Sequence, residues 1–270
     1  DDMRPLEQMQ KAIAKFLGRE LRDSEKAYEL QTQIVSKTGR QIEKEHLDYM
    51  VPLAREVADL IESIKDIEDC STDEAYKMVT NYLLAKHGLE RNEWFVKQGK
   101  DEGDYAGLRG LAESLGENTD DYKAVAERVV SEFENAHDTG YMWARIKDLT
   151  DRMLEISYES GMIDKEKFGD LKQRHKYYVP LRGFAEGTAS DLFDYISRHP
   201  HFQNIFQKAG GRQSMADDPI ANMMSMLQSA IVIGNQNEVM QKIYNLAVNA
   251  KGNDLLRWCE SIGVKFGTDL

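Results

Sequence analysis

Little in this chain staples it, breaks it or carries it into a membrane. Its 270 residues include two cysteines, Cys70 and Cys259, and five prolines. Two cysteines so far apart exclude a disulfide framework and a zinc-ligand pattern, so reduced thiols are expected. Few prolines leave long helices uninterrupted. The longest apolar run, near residues 230–234, is far short of the ~20 residues a membrane-spanning helix needs. Asp1-Asp2-Met3-Arg4-Pro5 has no signal-peptide character. It reads as a cut within a longer polypeptide, as does the end at residues 265–270. Positive charge is scarce too: 35 Lys and Arg face 47 Asp and Glu, for a net charge of −12. Binding to phosphate backbones needs concentrated Lys and Arg, so nucleic acid is not the expected partner. A protein partner, or other domains of a parent chain, suits this surface, with no membrane and no cofactor.

What the chain does have is helical periodicity. Hydrophobic residues make up 41% and charged residues 30%, a folded, helix-rich composition. Leu6, Met9, Ile13 and Phe16 share one helical face, and Gly18 ends the run. Asp23 or Ser24 is placed to cap a second helix carrying Ala27, Leu30 and Ile34, with Gly39 as an interruption. Pro52 marks a kink or a new first turn, followed by a stripe of Leu53, Val57, Leu60, Ile61 and Ile64. Ser71-Thr72-Asp73-Glu74 is a capping signature. It opens a helix with Tyr76, Val79, Leu83, His87 and Trp94 on one face. Five glycines between Gly99 and Gly116 predict the longest loop. A helical run over 119–160 bears Val125, Val129, Phe133, Ile146, Met153 and Ile156, divided at Gly140. Gly161 is a C-cap, and Asp164 caps the next helix. Helicity stops at 175–184, where Pro180 forces Val179 toward extended backbone. It resumes with a short helix over 190–198, a turn at His199-Pro200-His201, and a loop from Gly210 that ends at Asp217-Asp218-Pro219. A long helix over 219–249 and a short one over 254–261 follow. The expected fold is all-α: an elongated multi-helix bundle, with 1–176 and 188–270 as two lobes joined by a non-helical Tyr-Val-Pro-Leu crosspiece over 177–187.

Few constellations suggest chemistry. Two Glu-x-x-His pairs, Glu43 with His46 and Glu134 with His137, match the spacing used in di-iron carboxylate bundles. Glu90, with Glu20 or Glu29, completes the ligand count. This is the metal-enzyme alternative to a reading in which no metal is bound. Lys86-His87-Gly88-Leu89-Glu90-Arg91-Asn92 is dense in polar groups, and a buried polar network is the favoured reading there. Gly210-Gly211-Arg212-Gln213-Ser214 lacks the preceding strand and the Gly-Lys-Ser/Thr ending of a phosphate loop. No nucleophile elbow is present. The run Met223-Met224-Ser225-Met226 reads as adaptable core or interface. A basic face near Arg174, His175, Lys176 and Arg182 leaves nucleic-acid binding as a weaker alternative.

Three stretches carry a resemblance. Lys86-His87-Gly88-Leu89-Glu90-Arg91-Asn92 resembles a Lys-His-x-x-Glu-Arg-Asn helix. Ser160-Gly161-Met162 with Tyr178-Val179-Pro180-Leu181 resembles a Gly-(Ile/Met)…Tyr-Val-Pro-Leu segment. Gly211-Arg212-Gln213-Ser214-Met215-Ala216-Asp217-Asp218-Pro219, followed by Asn235-Gln236-Asn237, resembles a third. Together they are similar to helical modules of the large polyvalent proteins of phages and conjugative elements, some marked by a Pro-Leu-x-Arg-Phe-Gly motif. Pro180-Leu181-Arg182-Gly183-Phe184 departs from that motif in order and spacing. The resemblance implies a fragment of a giant multidomain protein that enters a recipient cell with incoming DNA and acts against host defences in the bacterial cytoplasm. It implies no catalytic residue. It makes His87, Glu90, Arg91, Asn92, Arg182 and Arg212 candidates for an interdomain or partner contact.

Overall fold

A computed structural model describes residues 4–97, 99, 106–174, 176–179 and 218–249. The described residues are helical throughout their regular elements, without a strand, so the chain is all-α. The order is α1 (Arg4–Leu17), α2 (Ala27–Glu45), α3 (Val51–Glu68), α4 (Thr72–Lys97), α5 (Ala106–Ser114), α6 (Tyr122–Ala136), α7 (Gly140–Glu159), α8 (Lys165–Arg174) and α9 (Pro219–Asn249). Two compact units form. One gathers residues 1–41 and 231–270, the other residues 42–230. The described part of the expected crosspiece, residues 177–179, falls in the second unit.

In the first unit, α1 buries Met9 and Ile13 as its periodicity predicts, but Phe16 is 52% exposed. Gly18 ends α1 at φ +62°, a conformation that costs glycine little. Asp23–Glu25 is a 3₁₀ turn and not a direct helix cap. Its Glu25 is fully buried and accepts a two-pronged contact from Arg19, 2.9 Å on each side. Gln10 bridges α1 and α2. Its Oε1 accepts from Tyr28 N at 2.9 Å, and its Nε2 donates to Glu29 at 2.6 Å. Gly39 does not interrupt α2, which runs through it. Buried Asn235 on α9 donates to Thr38 Oγ1 and Gln41 Oε1, both at 3.1 Å.

The second unit begins with a local departure from α geometry. His46–Met50 is one π-helical turn, in which Val51 N–H reaches back to His46 O. Pro52 explains it. Proline has no N–H to give, and its ring crowds the carbonyl four residues earlier. A wider turn absorbs that mismatch while the backbone stays right-handed. Glu45, just before the turn, is buried and takes both prongs of Arg152 from α7, at 2.9 and 2.7 Å. The whole predicted α3 stripe, Leu53, Val57, Leu60, Ile61 and Ile64, is buried.

Helix α4 is the axis of this unit, with α3, α5 and α6 packed against it. Its capping box forms: Ser71 N–H donates to Glu74 at 2.9 Å, and Glu74 N–H to Ser71 Oγ at 3.3 Å. The expected one-sided face is wrong for its middle. From Val79 to Asn92 it is buried on nearly every side, because neighbours cover it all round. The predicted glycine-rich loop also holds a helix, α5, with Leu108, Leu111 and Ala112 buried. Tertiary burial outweighs the cost of Gly107 and Gly110 there. The break between α6 and α7 falls at His137-Asp138-Thr139, just before Gly140. Asp121, Asp164 and Asp218 each accept backbone N–H bonds at the start of α6, α8 and α9. Gly161 closes α7 at φ +73°, with Met162 N–H on Ser157 O at 2.9 Å, the reach of a Schellman ending.

Candidate functional site

The polar run on α4 faces the non-helical segment 176–179. Glu90 holds that segment by its backbone. One carboxylate oxygen accepts Lys176 N–H at 2.7 Å, and the other accepts Tyr177 N–H at 2.9 Å. One turn earlier, His87 Nδ1 lies 2.9 Å from Tyr177 O. A carbonyl only accepts, so Nδ1 carries the proton. Helical spacing makes this grip possible: residues 87 and 90 are i and i+3, on one face. The His87 ring also meets the Tyr178 ring edge-on at 5.3 Å between centroids. Val179 is fully buried.

Below this grip sits a second layer. Tyr82, fully buried, receives the Trp143 Nε1–H on its hydroxyl at 2.8 Å. That hydroxyl donates to Glu134 Oε1 at 2.7 Å, with Thr139 Oγ1 3.2 Å away. Lys86 Nζ pairs with the same Glu134 oxygen at 2.8 Å and lies over the Tyr177 ring at 4.8 Å. Trp143 meets the Tyr177 ring edge-on at 5.0 Å. Burial alone would raise the Glu134 carboxyl, but the hydrogen bonds from Lys86 and Tyr82 outweigh it and hold it below its ordinary value. Burial pushes the Tyr82 hydroxyl well above the ordinary tyrosine range, against the opposing hydrogen bonds with Thr139 and Trp143 and with Glu134 adding to the rise, so it stays a donor.

The segment's attachment is modest. Its three backbone hydrogen bonds contribute about 1 kcal/mol each, and burying Val179 about 1.5–3 kcal/mol. Ordering four residues of backbone costs about 1–2 kcal/mol per residue. The favourable and unfavourable terms are of the same size.

No family model, curated protein or solved structure matches the chain. The site's meaning therefore rests on its own geometry.

His87 and Glu90 act together on the 176–179 backbone. Arg91 is buried with its guanidinium 4.9 Å over the Phe95 ring, and Asn92 is buried on the same helix. Arg182 and Arg212 lie outside the described residues, as do His175, the rest of the crosspiece, the helices expected over 190–198 and 254–261, and the His199-Pro200-His201 turn. The metal alternative does not assemble. Glu43 is exposed, Glu90 is engaged with backbone N–H groups, and Glu134 with Tyr82 and Lys86. His137 is buried, with Nε2 3.9 Å from Glu68 and its ring 4.9 Å from that of Phe133. Among the described residues no three His, Cys, Asp or Glu side chains gather to hold a metal ion. The two Glu-x-x-His spacings are right, but Glu43 is exposed, while Glu134 meets Tyr82 and Lys86 and His137 faces Glu68. Glu20 and Glu29 belong to the unit formed by the two chain ends, where Glu29 pairs with Gln10. Tyr82 and Trp143 were not singled out as site residues by sequence. The available signal was chemical: buried Tyr and Trp need partners for their O–H and N–H.

Proposed function

We propose that this chain is a non-catalytic helical scaffold and interaction module of a large polyvalent protein from a phage or mobile element. It positions neighbouring domains or binds a protein partner in the bacterial cytoplasm, in counter-defence after DNA entry. One observation supports this most. The Lys-His-x-x-Glu-Arg-Asn stretch and the residues leading into Tyr-Val-Pro-Leu, 86–90 positions apart, are two halves of one contact. Polar residues of the types that serve reactions hold backbone in place instead, which is what a positioning module requires. The net charge of −12 favours a protein partner over a nucleic acid, and no described helix is long and apolar enough to cross a membrane.

The test is in-cell photo-crosslinking from exposed apolar positions. Val35 is 82% and Tyr141 72% exposed. A photoreactive residue at either position, in the parent protein expressed in its bacterial host, should trap one defined protein or one neighbouring domain. The purified chain should carry well under one equivalent of iron or manganese. Near-stoichiometric metal that disappears in His46→Ala or His137→Ala would overturn the scaffold reading in favour of a metal enzyme.

A further inference from the structure

Where α2 runs into α3, the sequence pattern and the packing disagree. Ile42, His46, Tyr49, Leu53, Val57 and Leu60 recur at three- and four-residue intervals, the spacing of one unbroken helical face. The structure buries Leu53, Val57 and Leu60 from that series, but Ile42, His46 and Tyr49 are only half-buried. Glu45 and Met50 are buried instead. They stand five positions apart, too many for one regular turn of about 3.6 residues. The π-helical turn over His46–Met50, closed by Val51 N–H on His46 O, absorbs the surplus residue. It sets Glu45 where a regular helix would set His46.

Two features favour the wide turn. Arg152 of α7 donates to both oxygens of Glu45, at 2.9 and 2.7 Å, and the Glu45 side chain is only 2% exposed. A carboxylate buried that deeply needs its partner, so the pair favours whichever register keeps it together. Pro52 disfavours the regular register, because its ring crowds the carbonyl four residues back. The barrier between the two registers is low in one respect. Backbone at Glu45, Met50 and Val51 stays in the right-handed helical well, which a regular helix also uses. Arg152 also lies 3.5 Å from Glu155 and 3.6 Å from Glu159, so it keeps carboxylates nearby when Glu45 turns away. We infer that Glu45, Arg152 and Pro52 form a register lock, holding residues 42–50 in the wide turn against a regular helix that the sequence also encodes. With the lock removed, His46 takes the buried place and Glu45 turns out to water.

Thiol labelling of the full chain tests it, read by peptide mass spectrometry so that Cys70 and Cys259 are counted separately. His46→Cys should label readily in an otherwise unchanged sequence. Adding Glu45→Ala and Pro52→Ala should slow that labelling at least about tenfold, because position 46 turns inward and is reached only by local opening. Leu47→Cys is the control. Leu47 is 59% exposed, and labelling there should change by less than about twofold, since position 47 stays on the outer side in both registers. Should the Glu45→Ala pair not fold, as judged by circular dichroism, Arg152→Met with Pro52→Ala removes the same lock from the other side and should act likewise. Unchanged labelling at 46 in a folded variant would overturn the lock. So would faster labelling at 46 and 47 together, the sign of a frayed helix. Loss of folding in both variants would overturn it too, because the regular register would then not be available to the chain.

Discussion

Glu134 shows how much a single residue's surroundings decide. Sequence presented it as half of a Glu-x-x-His pair. In the fold it accepts from Tyr82 and pairs with Lys86, and these contacts lower its proton affinity despite burial. The sign of the pH effect follows. A carboxyl with a depressed folded-state pKa contributes stability above its unfolded-state value, and that contribution is lost as pH falls through the folded-state value. The stability difference between the wild type and Glu134→Gln, measured by urea unfolding, should therefore be largest near neutral pH. It should shrink as pH is lowered through and below the ordinary glutamate range, near ~4.3. A difference that stays constant down to about pH 3 would show that the Lys86 and Tyr82 contacts do not depend on the charge of Glu134. His87 and Glu90 teach the same lesson. Their polarity and i, i+3 spacing were readable, but that they grip a backbone some 90 residues away was not.

Among elements, α4 and α5 show where local rules were overridden. A glycine-rich stretch read as loop, and its middle is a helix because Leu108, Leu111 and Ala112 find a surface to bury against. Gly88 supplies part of that surface. A Cβ there would lie 2.6 Å from Leu108 Cδ2 and 3.2 Å from its Cγ, so α5 packs where α4 has no side chain. Alanine should be tolerated, since Leu108 can swing and a helix gains about 1 kcal/mol when Gly becomes Ala. Valine should overpack the contact and cost about 1–3 kcal/mol. In a Leu108→Ala background the same Gly88→Val change should cost less, a coupling that a double-mutant cycle by chemical denaturation would measure. Equal costs in both backgrounds would mean that α5 does not seat on Gly88. The ends of elements, by contrast, were legible. Ser71 with Glu74, Asp164 and Asp218 open helices and Gly161 closes one, as their chemistry suggests, because caps depend on neighbours a few residues away.

At the scale of the whole molecule, charge is the dominant long-range feature. A net charge of −12 repels itself most in the compact state. The opposing surface ion pairs, such as Lys147 with Asp151 and Lys65 with Glu62, each contribute little. Screening should therefore help more than it harms. The thermal midpoint should rise by a few degrees between roughly 0.01 and 0.3 M NaCl, over which the screening length shrinks from about 30 Å to below 10 Å. A midpoint that falls instead would mean that ion pairs outweigh the repulsion. The grouping of residues 1–41 with 231–270 also belongs to this scale. A break in helicity is visible in sequence; which helices share a core is not, because partners such as Lys37 and Glu238, 2.5 Å from each other, stand 201 positions apart along the chain.

By itself the sequence determined that this protein is helical, where most helices start and stop, and that α3 buries one defined stripe. Those properties arise from spacing, caps and side-chain entropy within a few residues. Only the tertiary structure decided that α4 is enclosed on nearly every side, that α5 is a helix, that the two Glu-x-x-His pairs do not gather at one site, and that Glu90 and His87 hold residues 176–179. Each of those outcomes depends on which distant surface covers a group and satisfies its hydrogen bonds, and no local pattern encodes that.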